Sequence, residues 1–413
     1  MTEFQLDLTE GEHIYYHPKG NIWQKYNIVK GKPHGKWKKY HSNAKLSVQE
    51  EYYNGVKVGH WTTWHDNGEP WTEENWLNGK KHGLFRKWRW DAVPECEGNY
   101  RDDKKTGKWI YYYHKGKKQY QGNYENDKRV GTWIEFSDDT EKKCSESDYK
   151  NGKLNGKYIE LNSDGLITLE GKYKDDKKIG KWIHKHDVGQ ISKEENYENN
   201  KLVGECKEWH PGGEKWKEQN YKNGVLDGQF KIYHLNGVES LVGEYKNGIQ
   251  IGEWKSYHTT STKKSQGKYE NGKKVSLWKE WYETDQLKLQ CKYKDGLLDG
   301  EVISLYNNGK KWKRENYKSG VKCGKIIEYF DNEKVKLINH YTDDKLDGTF
   351  KEWFRNNEQQ RASGNMKNDG MSGKWTFWYH NGQKECEVIC KDGKLVEGTV
   401  YHDNGANKVK TVE

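Results

Sequence analysis

A glycine recurs along this chain with a period of about 24 residues, and that period restricts the fold more than any other feature. The spacing is constant apart from three slightly longer steps, and a serine, Ser276, once takes the place of glycine. Seventeen such repeats account for nearly all of the 413 residues. Such self-similarity predicts one continuous repeat array rather than several globular domains. The series is Gly11, Gly35, Gly59, Gly83, Gly107, Gly131, Gly156, Gly180, Gly204, Gly228, Gly252, Ser276, Gly300, Gly324, Gly348, Gly373 and Gly398.

Each repeat reads approximately Tyr-x-Asn-Gly-Lys-x-x-Gly-x-Trp-x-x-Tyr-His-x-Asn-Gly-x-x-Lys. Asn-Gly supplies the positive φ angles of tight hairpin turns. The intervening segments are rich in Trp, Tyr, Ile and Thr, without a sustained helical period. The sequence therefore predicts an all-β fold, an elongated twisted array of about 17 stacked antiparallel β-hairpins. The Asn-Gly pairs are Asn54-Gly55, Asn78-Gly79, Asn223-Gly224, Asn247-Gly248 and Asn381-Gly382.

The two ends of the array are expected to differ from its interior, because terminal repeats must cover exposed surface. The first repeat is atypical and the last, YHDNGANKVKTVE, is truncated. We predict an N-terminal capping repeat over residues 1–34, a continuous array over residues 35–397 and a C-terminal capping repeat over residues 398–413.

The composition indicates a thin core built from aromatic residues. Charged residues make up 33% of the chain and the mean hydropathy is −1.28, which alone would be typical of disorder. Yet the chain holds 20 Trp and 29 Tyr. These side chains bury a large apolar body while their polar group stays near a partner or water. Regularly spaced Trp and Tyr therefore predict a folded structure whose core lies close to solvent.

Neither a secretion signal nor a disulfide framework is indicated. The first residues, MTEFQLDLTE, lack a basic and an apolar region, and no apolar run is long enough to span a bilayer. The seven cysteines follow no repeat register, and two of them would lie about 13 Å apart on a strand. We therefore expect a cytoplasmic protein. The cysteines are Cys96, Cys144, Cys206, Cys291, Cys323, Cys386 and Cys390.

The repeats resemble the MORN repeat, specifically the bacterial variant of YwqK-type antitoxin proteins. The shared elements are Tyr-x-Asn-Gly and Gly-x-Trp, as at Tyr245, Asn247, Gly248, Gly252 and Trp254. The commoner MORN pattern has Gly-x-Gly where this chain has Gly-x-Trp. The resemblance covers essentially the whole chain. It implies stacked hairpins and suggests an antitoxin, immunity or scaffold role.

Two aromatic ladders follow the recurring glycine. The first ladder, two residues after it, comprises Trp37, Trp61, Trp109, Trp133, Trp182, Trp254, Trp278 and Trp375. Offsets of two and five point to opposite faces of a strand, so we expect one ladder in the core and the other half-exposed. Structural stacking is the alternative for both. The candidate partner-binding residues form the second ladder, five residues after the glycine: Tyr40, Trp64, Trp88, Tyr112, Trp209, Tyr233, Tyr257, Trp281, Trp353 and Trp378.

No residue pattern indicates catalysis, a metal or a cofactor. Histidines in register would lie about 10 Å apart, whereas zinc ligands lie about 2 Å from one ion. A role beside the turns is expected for them. The paired carboxylates are also expected in turns. The histidines are His17, His41, His65, His186, His210, His234 and His258, and the acidic pairs are Asp102-Asp103, Asp138-Asp139, Asp175-Asp176 and Asp343-Asp344.

A protein is the expected partner, a toxin being one candidate. The alternative is phospholipid or another polyanion bound by the lysine-rich turns, as at Lys104-Lys105 and Lys177-Lys178. Nucleic acid is not expected, because the net charge of +9 is mild for this length. The sequence leaves open the binding face, the oligomeric state and the role of the irregular repeats between Gly156 and Gly204 and near Gly300 and Gly324.

Overall fold

A computed structural model of the protein describes residues 6–356, 358–404 and, for the backbone alone, 407–408. The regular secondary structure of these residues consists of β-strands alone, which confirms the all-β prediction. These residues include no helix capable of crossing a membrane. The predicted capping repeats lie partly outside the described residues, at 1–5, 405–406 and 409–413.

The chain divides into two compact bodies, Met1–Val203 and Gly204–Glu413. In the N-terminal body the strands are β1 Gly11–Tyr16, β2 Ile22–Val29, β3 Lys32–Pro33, β4 Gly35–Tyr40, β5 Leu46–Tyr53, β6 Val56–Lys57, β7 Gly59–Trp64, β8 Pro70–Leu77, β9 Lys80–Trp88, β10 Pro94–Arg101, β11 Lys104–Tyr112, β12 Lys118–Glu125, β13 Lys128–Phe136, β14 Lys143–Lys150, β15 Lys153–Leu161, β16 Ile167–Lys174, β17 Lys177–Lys185, β18 Ile191–Glu198 and β19 Lys201–Leu202.

The C-terminal body repeats the same pattern. Its strands are β20 Gly204–Trp209, β21 Lys215–Lys222, β22 Val225–Tyr233, β23 Glu239–Lys246, β24 Ile249–Tyr257, β25 Lys263–Glu270, β26 Lys273–Trp281, β27 Leu287–Lys294, β28 Leu297–Leu298, β29 Gly300–Leu305, β30 Lys311–Lys318, β31 Val321–Lys322, β32 Gly324–Tyr329, β33 Val335–Thr342, β34 Lys345–Leu346, β35 Gly348–Trp353, β36 Gln360–Lys367, β37 Gly370–Trp378, β38 Lys384–Lys391, β39 Lys394–Tyr401 and β40 Asn407–Lys408.

Within each body, neighbouring strands pair antiparallel in chain order. One end of each hairpin is a two-residue turn with positive φ at both positions, as at Asn54 (51°) and Gly55 (81°), which is the type I′ geometry. The prediction for Asn381-Gly382 was wrong, because these residues lie in the longer turn at the opposite edge, where Gly382 N donates to Tyr379 O. We call the two sides the tight-turn edge and the long-turn edge.

The recurring glycine marks a β-bulge. Glu97 pairs with Ile110 and Asn99 pairs with Thr106, so an irregular stretch containing Gly107 separates the two regular segments of the ladder. Gly107 has a φ of 62°, a left-handed conformation that favours glycine. Ser276 adopts the same conformation with a φ of 61°. The backbone of the bulge therefore explains the glycine period.

The first ladder forms the core, and we call its side of the strands the core face. All eight ladder tryptophans are buried, Trp109 and Trp182 completely. Six of them lie over a glycine of the preceding strand, so closely that an added Cβ would approach the indole to between 2.0 and 2.3 Å. The glycines are Gly98, Gly122, Gly171, Gly243, Gly267 and Gly364, beneath Trp109, Trp133, Trp182, Trp254, Trp278 and Trp375 respectively.

Cations cover several ladder rings. Lys105 Nζ lies 4.3 Å from the centre of the Trp109 ring and 5.2 Å from that of Tyr124. Arg129 lies 4.2 Å from the Trp133 ring. Such cation–π contacts are favourable where the ring is desolvated. The lysine stems and tyrosine rings thus seal a core that no second sheet layer covers among the described residues of either body.

The irregular repeats keep the core with smaller side chains. Val302 and Ile326 occupy the first-ladder position and are 6% and 3% exposed. Val302 packs with Cys291, which stands where other repeats have the glycine beneath tryptophan. A smaller ladder residue therefore leaves room for a side chain on the preceding strand.

Glu195 also stands where other repeats have the glycine, and there the side chain is polar. It lies opposite Trp182 on the core face and is 4% exposed. Its carboxylate accepts hydrogen bonds from His184 Nε2 (3.1 Å), Tyr197 Oη (3.0 Å) and Lys193 Nζ (2.6 Å). Burial raises the pKa of Glu195, but the hydrogen bonds from His184 and Lys193 and the charge of Lys193 outweigh it and lower the pKa to about 2.

Candidate partner-binding face

The second ladder lies on the face opposite the core, which we call the open face. In β7, Trp61 is buried on the core face while Trp64, three residues on, is half-buried on the open face. All ten second-ladder aromatics are half-buried. The predicted division into a packed ladder and a half-exposed ladder is confirmed. That the second ladder binds a partner stays a prediction.

Carboxylates of neighbouring strands orient the tyrosines of this ladder. Tyr112 Oη donates to Glu97 Oε1 at 2.8 Å, and Tyr233 Oη donates to Glu218 Oε2 at 2.7 Å. Burial, followed by this hydrogen bond, raises the pKa of Tyr112 to about 12. Tyrosines held in this way present their rings in a fixed orientation, which lowers the entropy lost on binding.

A second set of aromatics on the open face was missed by sequence reasoning. Trp71, Trp216 and Trp312 are 46%, 44% and 46% exposed. Each follows the glycine of a long turn in the pattern Gly-x-x-Trp, which could have signalled them. Each also sits in a bulge, where it and the preceding residue together oppose one second-ladder position. Trp71 and Pro70, for example, oppose Trp64.

The register places these bulge tryptophans between successive second-ladder residues. Thr72 pairs with Lys87, so Trp71 stands opposite Trp88 on its other side. Lys217 likewise pairs with Ile232, which sets Trp216 opposite Tyr233. We call the two resulting groups aromatic triplets. They are Trp64, Trp71 and Trp88 in the N-terminal body and Trp209, Trp216 and Tyr233 in the C-terminal body.

Charged pairs surround the triplets. Arg86 lies 3.6 Å from Glu73 and 3.5 Å from Glu97, and Lys215 lies 2.8 Å from Glu218. Where a repeat lacks the ladder aromatic, a charged residue can replace it. Lys185, at the second-ladder position, pairs with Glu170 at 3.1 Å. Large aromatics within a polar border are the usual arrangement of residues that dominate protein interfaces.

The register histidines connect neighbouring repeats. Ring nitrogen Nε2 of His17 donates to Tyr40 O at 3.0 Å, and Nε2 of His41 donates to Trp64 O at 3.0 Å. Within the described residues no three His, Cys, Asp or Glu side chains come together as a metal site would require. The seven cysteines are thiols and not disulfides, with Cys386 half-buried and Cys390 buried on β38.

The acidic pairs lie in turns, as predicted. Asp102 and Asp103 are the two residues of a tight turn, with φ angles of 51° and 66°. The Asp103 carboxylate accepts a hydrogen bond from Lys81 N in the preceding turn at 2.8 Å. Asp138-Asp139 instead belongs to a long turn. The carboxylates of the tight turns therefore help to stack one turn on the next.

The fold and its repeated bulge define a β-hairpin repeat protein. Four segments match the family described as MORN repeat variant, at residues 105–126, 202–223, 274–295 and 298–319. The predicted resemblance to the MORN repeat is confirmed in these four segments. The narrower assignment to YwqK-type antitoxins stays a prediction.

Comparisons with other proteins add little about function. No curated protein matches the chain. The solved structures similar to it include the crystal structure of TcdB2-TccC3-Cdc42 and the Photorhabdus luminescens Tc holotoxin pore, each 11% identical with a TM-score of 0.15. Each match covers 95% of this chain but only 28% and 27% of those chains. At that TM-score the likeness has no bearing on the partner.

Proposed function

We infer that the chain is a non-catalytic repeat protein that binds a protein partner through its open face. The observation that supports this is the set of exposed bulge tryptophans set between second-ladder aromatics. Tryptophan is rarely left 44–46% exposed in such groups unless the surface is used, and it is the residue most enriched among those that dominate interface energies.

The arrangement suits a protein surface better than a small ligand. The aromatics recur from strand to strand across the sheet instead of converging on one enclosed cavity, and ion pairs such as Arg86–Glu73 lie between them. An antitoxin, an immunity protein and a scaffold all need an extended non-catalytic surface of this kind. These are the roles suggested by the MORN-variant repeats, and a cytoplasmic location suits them.

A pull-down with the purified chain from the source cell tests this function. Proteins retained after a high-salt wash are identified by mass spectrometry, and the partner is then produced and its affinity measured. Trp71→Ala combined with Trp216→Ala should weaken this binding by about 30-fold or more, since one central interface tryptophan contributes at least about 2 kcal/mol.

Tyr53→Ala combined with Leu77→Ala provides the control. Both residues are exposed apolar side chains next to tight turns, 61% and 51% exposed, and neither belongs to a triplet. Loss of binding in this control as large as in the tryptophan variant would contradict the assignment of binding to the aromatic triplets. A purified partner that binds both variants as tightly as the unmodified chain would do the same.

A further inference from the structure

We propose that the tight-turn edge of the N-terminal body binds a flexible phosphate polymer. In six successive repeats the position directly after the two turn residues is an exposed lysine. This site lies on a different side of the sheet from the aromatic triplets and does not depend on the protein partner. The lysine row consists of Lys80, Lys104, Lys128, Lys153, Lys177 and Lys201.

Hydrogen bonds between turns hold the row at a regular spacing. Asp127 N donates to Lys105 O at 3.2 Å, and Asp176 N donates to Leu154 O at 3.0 Å. Equivalent positions are two strands apart, so successive lysine Cα atoms lie about 10 Å from one another. Because the turns are bonded to each other, this spacing is kept in the absence of a ligand.

The lysines of the row have no ion-pair partner among the described residues. Several lysines elsewhere on this body do, as in Lys87–Glu95 at 2.7 Å and Lys181–Glu194 at 2.8 Å. The described residues of this body form eight tight turns, from residues 29–33 to 198–202, each taken as its two turn residues with one residue before and two after. Together these segments contain sixteen Lys or Arg and seven Asp or Glu. The edge therefore concentrates positive charge far above the average of the chain.

Backbone bonds engage part of the negative charge at this edge. The carboxylates of Asp103 and Asp127 accept from Lys81 N and Lys105 N at 2.8 Å each. The lysine ammonium groups, by contrast, reach into solvent. The edge thus offers a polyanion ammonium groups without an ion-pair partner, while part of its carboxylate charge is already hydrogen-bonded.

Sheet twist favours a flexible polymer over a flat membrane. Neighbouring strands are rotated by about 20–25°, so each repeat turns the edge by about 45°. Six lysines then cover roughly 225° of rotation, and a plane touches only the few that point toward it. A flexible chain of phosphates follows the turning row and reaches all six. No exposed aromatic flanks the row within its six turns, all of which the structure describes, so phosphates and not bases are the groups recognised.

Calorimetric titration of the full chain with medium-chain inorganic polyphosphate and with an oligothymidylate tests the proposal. For six lysine contacts, the logarithm of the affinity should fall with the logarithm of salt concentration with a slope of about −4. Lys104→Gln, Lys128→Gln and Lys153→Gln together should reduce the slope to about −2 and the affinity at about 0.1 M salt by roughly 100-fold.

Lys87→Gln, Lys157→Gln and Lys181→Gln remove the same charge away from the row and are expected to lower the affinity less than about 3-fold. The proposal is supported if either polymer binds and the row variant weakens that binding far more than the control variant does. The polymer that binds more tightly then identifies the source of the phosphates. Equal losses in the two triple variants would overturn it. Binding to phosphatidylserine vesicles but to neither polymer would overturn it too, and unchanged circular dichroism verifies that the variants fold.

Discussion

Gly122 and Trp133 allow a direct test of how the core face is packed. Gly122 has no left-handed φ, so alanine is compatible with its backbone. The new Cβ would nevertheless lie 2.3 Å from Trp133 Cδ2, and the indole, which is 3% exposed, would have to move. Overpacking of this kind costs about 1–3 kcal/mol, so Gly122→Ala should destabilise the surrounding strands by that amount.

The same substitution should have the opposite sign once the indole is absent. The array already contains this combination, because Val302 packs with Cys291 at the equivalent pair of positions. In a Trp133→Val background the clash is removed, and alanine in a strand is favoured over glycine by about 0.5–1 kcal/mol. The double-mutant cycle should thus show a coupling of about 1.5–4 kcal/mol.

Amide hydrogen exchange of β12 and β13 is the suitable assay, since repeat arrays open locally and a global midpoint would mix many repeats. The free energy of opening is compared in the four chains of the cycle. Equal destabilisation by Gly122→Ala in both backgrounds would show that the strand requires glycine for a reason other than the indole.

Three further predictions concern single positions. Ser276→Gly should stabilise its repeat by about 0.5–1 kcal/mol in amide hydrogen exchange of β26, because it removes left-handed strain, whereas Gly252→Ser, at a φ of 65°, should destabilise its repeat. Because the pKa of Glu195 is lowered, its ionised carboxylate stabilises the fold fully above the ordinary pKa near 4.5, and this contribution is lost as the pH falls toward 2. Glu195→Gln should therefore flatten the dependence of the free energy of urea unfolding on pH between those values. An unchanged pH dependence would refute this. Thiol labelling of the native chain should modify the half-buried cysteines before the buried ones, and simultaneous labelling would contradict the burial described: Cys144, Cys323 and Cys386 before Cys96, Cys206, Cys291 and Cys390.

The repeat unit could be predicted because its signals are local. Asn54-Gly55 specifies a tight turn through its own backbone preference, and the offset between Trp61 and Trp64 places them on opposite faces by simple alternation. The structure agrees with both. The chain also contained an unused signal, since glycine stands eleven residues before six of the eight ladder tryptophans.

Features that depend on register between strands escaped prediction. Trp71 lies between Trp64 and Trp88 because an extra residue in β8 sets both Pro70 and Trp71 opposite Trp64. The bond between Tyr112 and Glu97 joins residues of two separate strands, and only the observed pairing reveals that they meet. Asn381-Gly382 was misassigned because both turns of a repeat contain Asn-Gly, and the dipeptide alone does not state the length of the turn.

The bonds between long turns bear on how such a chain can change its length. His41 reaches the carbonyl of Trp64 and His234 that of Tyr257, the same step along the sequence in each case. The acceptor is a backbone oxygen, which every amino acid supplies, so the donor repeat imposes no side-chain identity on its successor. In-frame duplication or deletion of a coding segment one repeat long would leave these hydrogen bonds intact. Recombination can then reorder surface side chains along the array without changing the bonds between long turns.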